Sequence, residues 1–430
     1  MRLLLIAYEF PPSPSPQSLR WTYLARELDA LGHEVHVLAP DLGGITPGLP
    51  TLPQGIVVHR CFAGPFRGLV ALRRRLRRRA ETGAEGAPTP TQPLPAMLRP
   101  PRNWKQRISE LVQAALETVI YPDVRGEWTP WARRELRRLL DQVKPDVAIS
   151  SHEPATTLEL GLQAHARGIP WVADLGDPVL AGYTPRRWRN RATRIERETC
   201  ALADLVVVTN EGTAALLARR HGAPRRTLVL SQGFDAGVAD QAAHDPFDRS
   251  RLELFYSGTL YRFRRIDELL SALAANPRAR LNIASVTVPE RVLEFAAKAP
   301  DQVRLFGFLP HDAILAMQRR AHVLVNIANQ DNTQVPGKVH EYFGACRPIL
   351  HLGTEDDPTG SLLLRIRRGW VCRNEAGSLA ARLATLSRAH AAGTLEEGLE
   401  LGMETVADSS WQAIARRLDA ALRALPVAGA

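Results

Sequence analysis

The chain has 430 residues, of which 45% are hydrophobic and 23% charged, and a net charge of +10. This length is too great for one hydrophobic core and indicates two domains, while the composition is that of an ordinary globular protein without a membrane-spanning run. No zinc-finger spacing, ribonucleoprotein signature or recognition helix accompanies the positive charge, which argues against nucleic acid as a partner.

The N-terminal segment predicts a cytoplasmic protein. The apolar run Arg2–Tyr8 has the length of a strand, and it is followed by Glu9 and several prolines instead of the cleavage site of a signal peptide. The four cysteines are scattered, without C-x-x-C pairs or histidine-rich neighbours. This pattern indicates reduced thiols and no zinc site.

The first half of the chain predicts a parallel sheet. Strand Arg2–Tyr8, an amphipathic helix at Leu19–Leu31 and strand Glu34–Pro40 form a βαβ unit. Further apolar runs have the continuous character of strands that are buried on both faces. They lie at Gly55–Phe62, Val147–Ser151, Pro170–Leu175, Asp204–Asn210 and Arg226–Asp235, which gives about seven strands.

Residues 63–102 interrupt this series. The arginine run Arg73–Arg79 is followed by a stretch rich in proline, glycine and threonine. Such a composition forms a core poorly and predicts a flexible insertion. The run is either a solvated surface or a contact with an anionic membrane surface, which would place the protein peripherally on the inner face of the membrane.

Two polar residues follow predicted strands of this domain. His152 comes directly after Val147–Ser151, and Asp177 comes soon after Pro170–Leu175. Open α/β sheets bind ligands at the carboxyl ends of their strands, so both residues are candidates for a site. A structural loop histidine and an aspartate at a helix entry are the alternative interpretations.

A second strand–helix series begins after the linker-like segment 237–250. The predicted organisation is therefore a first domain at 1–236, a linker at 237–250, a second domain at 251–410 and a C-terminal helix at 411–430. The last helix carries an apolar stripe of Trp411, Ile414, Leu418 and Leu422.

The loop after the first strand of the second domain predicts an anion site. Gly258 would let the backbone approach a phosphate, and Arg262, Arg264 and Arg265 follow within about a turn. Cations at a helix start oppose the helix dipole, and a bound anion would remove that conflict.

A second anion-binding segment follows the apolar run His322–Ala328. Pro336 and Gly337 begin a short helix, Lys338 adds a charge in its first turn, and Glu341 lies on the same face as Lys338. This pair suits a phosphate and a sugar hydroxyl, although such pairs are also common on helix surfaces.

Three stretches together resemble one family. The segment PGKVHEYFGACRPIL is similar to the P-[SG]-K-x-x-E-[YF]-x-A-x-x-[KR]-P-[IV] motif of family 4-like glycosyltransferases, which have the GT-B fold. YSGTLYRFRR resembles the family's G-R-x-x-x-x-K-G loop, and WVADLGDP resembles its W-x-x-D-x-R-D-P segment. The resemblance extends over nearly the whole chain. It implies an α/β protein with two Rossmann-like domains that face each other across a cleft and a last helix that crosses back onto the first domain.

The resemblance also implies roles for the donor-side residues. Glu341 would bind the ribose of a nucleotide sugar, and the loop before it, with Thr333, Pro336 and Gly337, would hold the diphosphate and the sugar. Lys338 and Arg264, with Gly258, Thr259 and Arg262, would neutralise the leaving diphosphate. Thr333 stands where many members have a second glutamate, and Thr259 stands where they have arginine.

The implied reaction transfers a sugar to an acceptor hydroxyl with retention of configuration, without a metal or other cofactor. His152 or Asp177 would orient the hydroxyl of a glycan or lipid-linked acceptor. Gly176 replaces the arginine that usually precedes this aspartate.

Two other classes of protein are compatible with parts of the sequence. A nucleotide-sugar-binding protein without transferase activity would explain the replacements at 176, 259 and 333. A Rossmann-type dehydrogenase shares the doubly wound sheet, but the first strand is followed by prolines instead of G-x-G-x-x-G.

Overall fold

The computed structural model describes residues 1–44, 46, 49–82, 120–237, 245–260, 264–328 and 335–426. The chain divides into two compact units. Within the described residues, the first unit contains everything up to Ser231 together with the segment that starts at Trp411, and the second contains Gln232 to Ser410. The change of unit thus lies a few residues before the segment 237–250 that composition marks as the linker.

The first unit is built on a parallel sheet of seven strands in the order β3-β2-β1-β4-β5-β6-β7. The strand order runs outward from β1 toward β3 on one side and from β4 toward β7 on the other, and such a reversal of strand order is typical of doubly wound folds. The central strands are buried along almost their whole length, as their continuous apolar sequences predict. The strands are β1 (Arg2–Ala7), β2 (Glu34–Asp41), β3 (Val57–Phe62), β4 (Val147–His152), β5 (Trp171–Leu175), β6 (Leu205–Val208) and β7 (Thr227–Val229).

Helices cover this sheet on both faces. The described helices of the unit are α1 (Pro16–Ala30), α2 (Pro65–Thr82), α3 (Thr129–Val143), α4 (Thr156–His165), α5 (Arg189–Leu202), α6 (Glu211–His221) and α13 (Trp411–Arg423). Helix α13 packs on α1, where the rings of Tyr23 and Trp411 stack with their centroids 5.5 Å apart. The apolar stripe of the last helix is buried in the same core as the first strands.

Helix α2 occupies the first half of the segment that was expected to be flexible. The Glu127 carboxylate accepts hydrogen bonds from the backbone N–H groups of Phe66 (2.9 Å) and Arg67 (2.6 Å), which satisfies donors at the start of the helix. Ala71 is buried, and Arg75 forms an ion pair with Asp41. These long-range contacts outweigh the poor core composition. The rest of that segment lies outside the described residues.

The second unit is built on a parallel sheet of six strands in the order β10-β9-β8-β11-β12-β13. These are β8 (Leu252–Ser257), β9 (Ala279–Ala284), β10 (Val303–Leu305), β11 (Val323–Ile327), β12 (Ile349–Leu352) and β13 (Gly369–Cys372). Its described helices are α7 (Asp267–Ala274), α8 (Glu290–Lys298), α9 (His311–Arg320), α10 (Gly337–Phe343), α11 (Pro358–Arg365) and α12 (Ala376–Ala392).

Two neighbouring strands of this second sheet position the predicted donor-side residues. β8 and β11 are parallel, with Val323 paired to Leu254. The loop that begins at Gly258 and the segment that leads into α10 therefore leave the sheet at the same edge. The expected fold class, α/β with two Rossmann-like domains, is confirmed. Among the helices described, none is long and apolar enough to cross a membrane.

Candidate functional site

The predicted site residues fall into two groups, one in each unit. Gly258, Thr259, Arg264, Pro336, Gly337, Lys338 and Glu341 belong to the second unit, and His152 and Asp177 belong to the first. Arg262 and Thr333 are outside the residues that the structure describes.

The donor-side group is organised around Tyr256, which sequence analysis did not select. Tyr256 is the penultimate residue of β8 and is fully buried. The Lys338 Nζ lies over its ring, 3.6 Å from the centroid. The Arg264 Nη1 donates a hydrogen bond of 2.7 Å to its hydroxyl group, which in turn donates to the Thr259 carbonyl oxygen at 3.1 Å. One aromatic side chain thus contacts both cations that the sequence places beside a phosphate.

Gly258 leaves open space beside this cluster. Its φ of +99° is a conformation that residues with a Cβ rarely adopt, and no atom of the described residues lies within 4 Å of where a Cβ would be. The backbone is therefore approachable from this side.

The surroundings of Lys338 are electrostatically unfavourable for its charged ammonium group. Its Nζ is inaccessible to water and has no hydrogen-bond partner among the described residues. Burial lowers the pKa of Lys338 well below its usual value, and the nearby Arg264 lowers it further, while Glu341 acts in the opposite direction. A bound anion would offset both unfavourable effects.

Glu341 is oriented by neighbours on other elements. The Gln318 side-chain amide, on α9, donates a hydrogen bond to Glu341 Oε1 and another of 3.3 Å to the Ser257 hydroxyl group. The His311 Nδ1 lies 3.8 Å from Glu341 Oε2. Gln318 is fully buried and holds Oε1, while Oε2 has the His311 imidazole as its neighbour.

Pro336 and Gly337 form the entry to helix α10. Pro336 precedes the helix with an extended backbone, and the Val339 N–H donates to its carbonyl oxygen at 2.9 Å. A Cβ on Gly337 would lie 3.0 Å from Gln232 Cγ, so glycine allows a close approach there. The helix has only seven residues, and Lys338 is in its first turn.

In the first unit, His152 and the segment of Asp177 border a cavity of about 280 Å³. His152 is the last residue of β4, and Asp177 follows β5 after Gly176. Burial lowers the pKa of His152, while the carboxylates of Glu153 and Asp177 raise it. This effect favours a neutral imidazole, whose Nδ1 is buried and has no hydrogen-bond partner in the described part of the chain.

A charged network beside His152 was also missed by sequence analysis. Arg125 forms ion pairs with Asp123 (2.7 Å), Glu153 (3.2 Å) and Glu9 (3.3 Å). The exposed Tyr183 donates a hydrogen bond of 3.1 Å to the other Glu153 oxygen. The position of Glu153 directly after His152 was the available signal, whereas Glu9 and Arg125 are 116 residues apart in the chain.

Residues 96–237 match the sequence model of Glycosyltransferase Family 4. This range contains the last four strands of the first sheet, with His152 and Asp177. The match covers about a third of the chain, and over that range the chain is similar in sequence to this family. A search of curated proteins found no match to this chain.

Solved structures with the same fold align with almost the whole chain. A sucrose-phosphate synthase from Thermosynechococcus elongatus is 17% identical with a TM-score of 0.67, and the alignment covers 98% of each chain. Anabaena Alr3699/HepE in complex with UDP is 13% identical with a TM-score of 0.63, over 99% of this chain and 100% of the other.

A third similar structure has a different described activity. The putative UDP-N-acetylglucosamine 2-epimerase from Listeria monocytogenes is 12% identical with a TM-score of 0.55, over 98% of this chain and 95% of the other. At these identities the structural similarity establishes the GT-B fold, and the reaction has to be argued from the site itself.

Proposed function

We propose that this glycosyltransferase moves a sugar from a nucleotide diphosphate sugar to the hydroxyl group of a glycan or lipid-linked acceptor, with retention of configuration. The observation that carries the proposal is the convergence of Lys338 and Arg264 on Tyr256, beside Glu341 and the open backbone at Gly258. Retention follows from the resemblance of the motifs to those of family 4-like enzymes.

The two cations suit the leaving group of this reaction. Negative charge develops on the diphosphate as the bond to the sugar breaks, so positive charges fixed beside it stabilise the transition state more than the ground state. Lys338 and Arg264 supply two such charges from the protein. We therefore propose that the reaction needs no metal or other cofactor.

The carboxylate of Glu341 is assigned to the nucleotide ribose. One of its oxygens is occupied by Gln318, and the other can accept a hydrogen bond from a sugar hydroxyl group. A carboxylate beside a phosphate site is unsuited to phosphate binding because like charges repel. It does suit the hydroxyl-rich group attached to the phosphates.

His152 and Asp177 are assigned to the acceptor hydroxyl group. A neutral imidazole can accept a hydrogen bond or a proton, and burial favours this form of His152. The cavity beside it is walled by Tyr121, Tyr183 and Trp188 and carries Glu153, a combination of aromatic and hydrogen-bonding groups that suits a sugar ring.

Helix α2 is proposed to contact the inner face of a membrane. Leu69, Leu72 and Leu76 are more than half exposed, although they occupy helical positions that would normally face a core. Arg73 and Arg75 are exposed on the same helix. Exposed leucines interspersed with arginines are typical of helices that lie on anionic lipid, which fits an enzyme of envelope or lipid-linked glycan synthesis.

A nucleotide-sugar-binding protein without turnover is the second candidate. It is favoured by Thr259, which contributes only its backbone carbonyl oxygen to the cluster where arginine is usual, and by Gly176. Release of nucleoside diphosphate in the presence of acceptors distinguishes the two functions.

A thermal-shift panel of UDP-, GDP- and ADP-sugars tests the donor class. A ligand that binds only the folded state raises the melting temperature by mass action. UDP-sugars are the first choice because a similar fold, HepE, has been solved with UDP-glucose. A shift for one class of donor supports the proposal, and no shift for any class contradicts it.

A further inference from the structure

Tyr256 makes a pair of contacts that no other described side chain of this cluster combines. Its ring face receives the Lys338 ammonium group, and its hydroxyl group receives the Arg264 guanidinium group. The hydroxyl group is fixed in turn by the Thr259 carbonyl oxygen, and the ring lies in the core of the second unit between β8 and its helices. The buried ring therefore supports two long cationic side chains.

The placement of two cations beside Tyr256 is energetically unfavourable without a bound anion. Two like charges are held near one another, and Arg264 depresses the pKa of Lys338. A tyrosine ring face attracts a cation through its quadrupole, and a hydroxyl oxygen accepts from a guanidinium group, so each contact offsets part of the desolvation and repulsion. A phenylalanine or leucine, which would satisfy the apolar surroundings equally well, could offer at most the first of these contacts.

We propose that Tyr256 is a positioning residue that holds Lys338 and Arg264 ready for the diphosphate group of a nucleoside diphosphate or its sugar conjugate. This inference rests on the proposed function, because it takes the anion at this site to be the donor diphosphate. The ring acts through the two cations. Removing the ring of Tyr256 should therefore weaken ligand binding only while Lys338 and Arg264 are present.

The test is a double-mutant cycle read in the dissociation constant of UDP, GDP or ADP, whichever binds the wild-type protein most tightly in titration calorimetry. Tyr256→Phe removes only the hydroxyl group and keeps the ring under Lys338. Loss of a hydrogen bond to a charged group should weaken nucleoside diphosphate binding roughly tenfold. In the Arg264→Ala background the same substitution should change the affinity less than about twofold, because its partner is absent.

Tyr256→Leu extends the cycle to the ring. It removes both contacts, and its effect should exceed that of Tyr256→Phe in the wild-type background by roughly thirtyfold, the size of a cation–π contact at a desolvated site. In the Lys338→Met background the two substitutions should become equivalent. Phe255→Leu is the matched control: it shortens a buried aromatic residue of the same strand on the opposite face, and it should leave the affinity unchanged.

The cycle separates positioning from ordinary packing. If Tyr256→Phe weakens binding equally with and without Arg264, or has no effect in the folded wild-type protein, the inference is overturned while the proposed function stands. If Tyr256→Leu does not fold, Tyr256→Phe, which removes a single oxygen, still tests the inference. Failure of the wild-type protein to bind UDP, GDP and ADP would overturn the proposed function and this inference together.

Discussion

The buried side-chain amide of Gln318 donates a hydrogen bond to Glu341 Oε1, and it thereby fixes a half-buried carboxylate in the second half of helix α10. The same amide donates to the Ser257 hydroxyl group at the end of β8. Gln318 thus links the end of β8 to helix α10, the two elements that lead to the donor-side residues. The proposed ribose contact therefore depends on a residue that does not itself need to contact the ligand.

Replacing Glu341 by alanine should mainly weaken donor binding. The ribose is held similarly in the ground and transition states, so KM should rise roughly ten- to hundredfold through loss of a charge-assisted hydrogen bond, while kcat changes little. Gln318→Met, which keeps the volume but not the amide, should raise KM by a smaller factor. Steady-state kinetics with the cognate donor measure both. A fall in kcat at unchanged KM for Glu341→Ala would contradict the assignment to the ribose.

Replacing His152 by asparagine should lower kcat and leave nucleoside diphosphate affinity unchanged. The proposed acceptor role concerns proton transfer and orientation, effects that contribute on the order of 10²–10⁴ in rate. His165→Asn is the matched control, because this partly exposed histidine lies on helix α4 beside Asp204. Kinetics and UDP calorimetry on both variants provide the comparison. An unchanged kcat for His152→Asn would remove His152 from the proposed mechanism.

Helix α2 should direct binding to anionic liposomes. Each arginine near such a surface contributes about 1 kcal/mol, and the effect weakens with added salt. Neutralising four arginines of the run should therefore abolish co-sedimentation, whereas neutralising four exposed arginines elsewhere in the same unit should not. The test set is Arg73, Arg75, Arg77 and Arg79, and the control set is Arg186, Arg189, Arg194 and Arg197, all changed to glutamine. An equal loss of liposome co-sedimentation in both sets of variants would indicate that net charge alone determines binding.

His322 should make the protein acid-sensitive. Burial and the neighbouring His390, Arg249 and Arg347 lower the pKa of His322 to about 4, and its Nδ1 accepts a hydrogen bond from the Glu253 N–H. Between pH 6.5 and 4, His322 binds a proton in the unfolded state but not in the folded state. The free energy of unfolding should therefore fall by up to about 3 kcal/mol between pH 6.5 and 4.

The His322→Asn variant, which keeps an acceptor for the same N–H, tests this origin. Urea unfolding at a series of pH values should show a shallower decline for the variant than for the wild-type protein. Parallel declines for the two proteins would assign the acid sensitivity to other groups.

Local sequence patterns were sufficient to predict the two sheets and the last helix. The continuous apolar runs of β1, β4 and β11 indicate strands buried on both faces, and the stripe from Trp411 to Leu422 indicates the face that α13 buries. These features depend on residues near one another in the chain. Their periodicity is therefore visible without a structure.

Features that depend on long-range contacts were not predictable in this way. Helix α2 is stabilised at its start by Glu127, some sixty residues away, and Arg125 reaches Glu9 across 116 residues. Tyr256 could not be selected from the sequence, because nothing in the local sequence reveals that Lys338 will lie over its ring. The roles assigned to Arg264, Lys338, Glu341, His152 and Asp177 stay predictions.

The most direct test of the account is kcat for Arg264→Ala and Lys338→Ala with the donor that the thermal-shift panel selects. Both charges should meet a diphosphate that gains negative charge in the transition state, so kcat should fall by roughly a hundredfold while the affinity for the donor changes much less. Arg291→Ala, at an exposed arginine of the same unit that is paired with Asp267, is the control and should retain normal turnover. Near-normal kcat for both Arg264→Ala and Lys338→Ala would contradict the proposed mechanism.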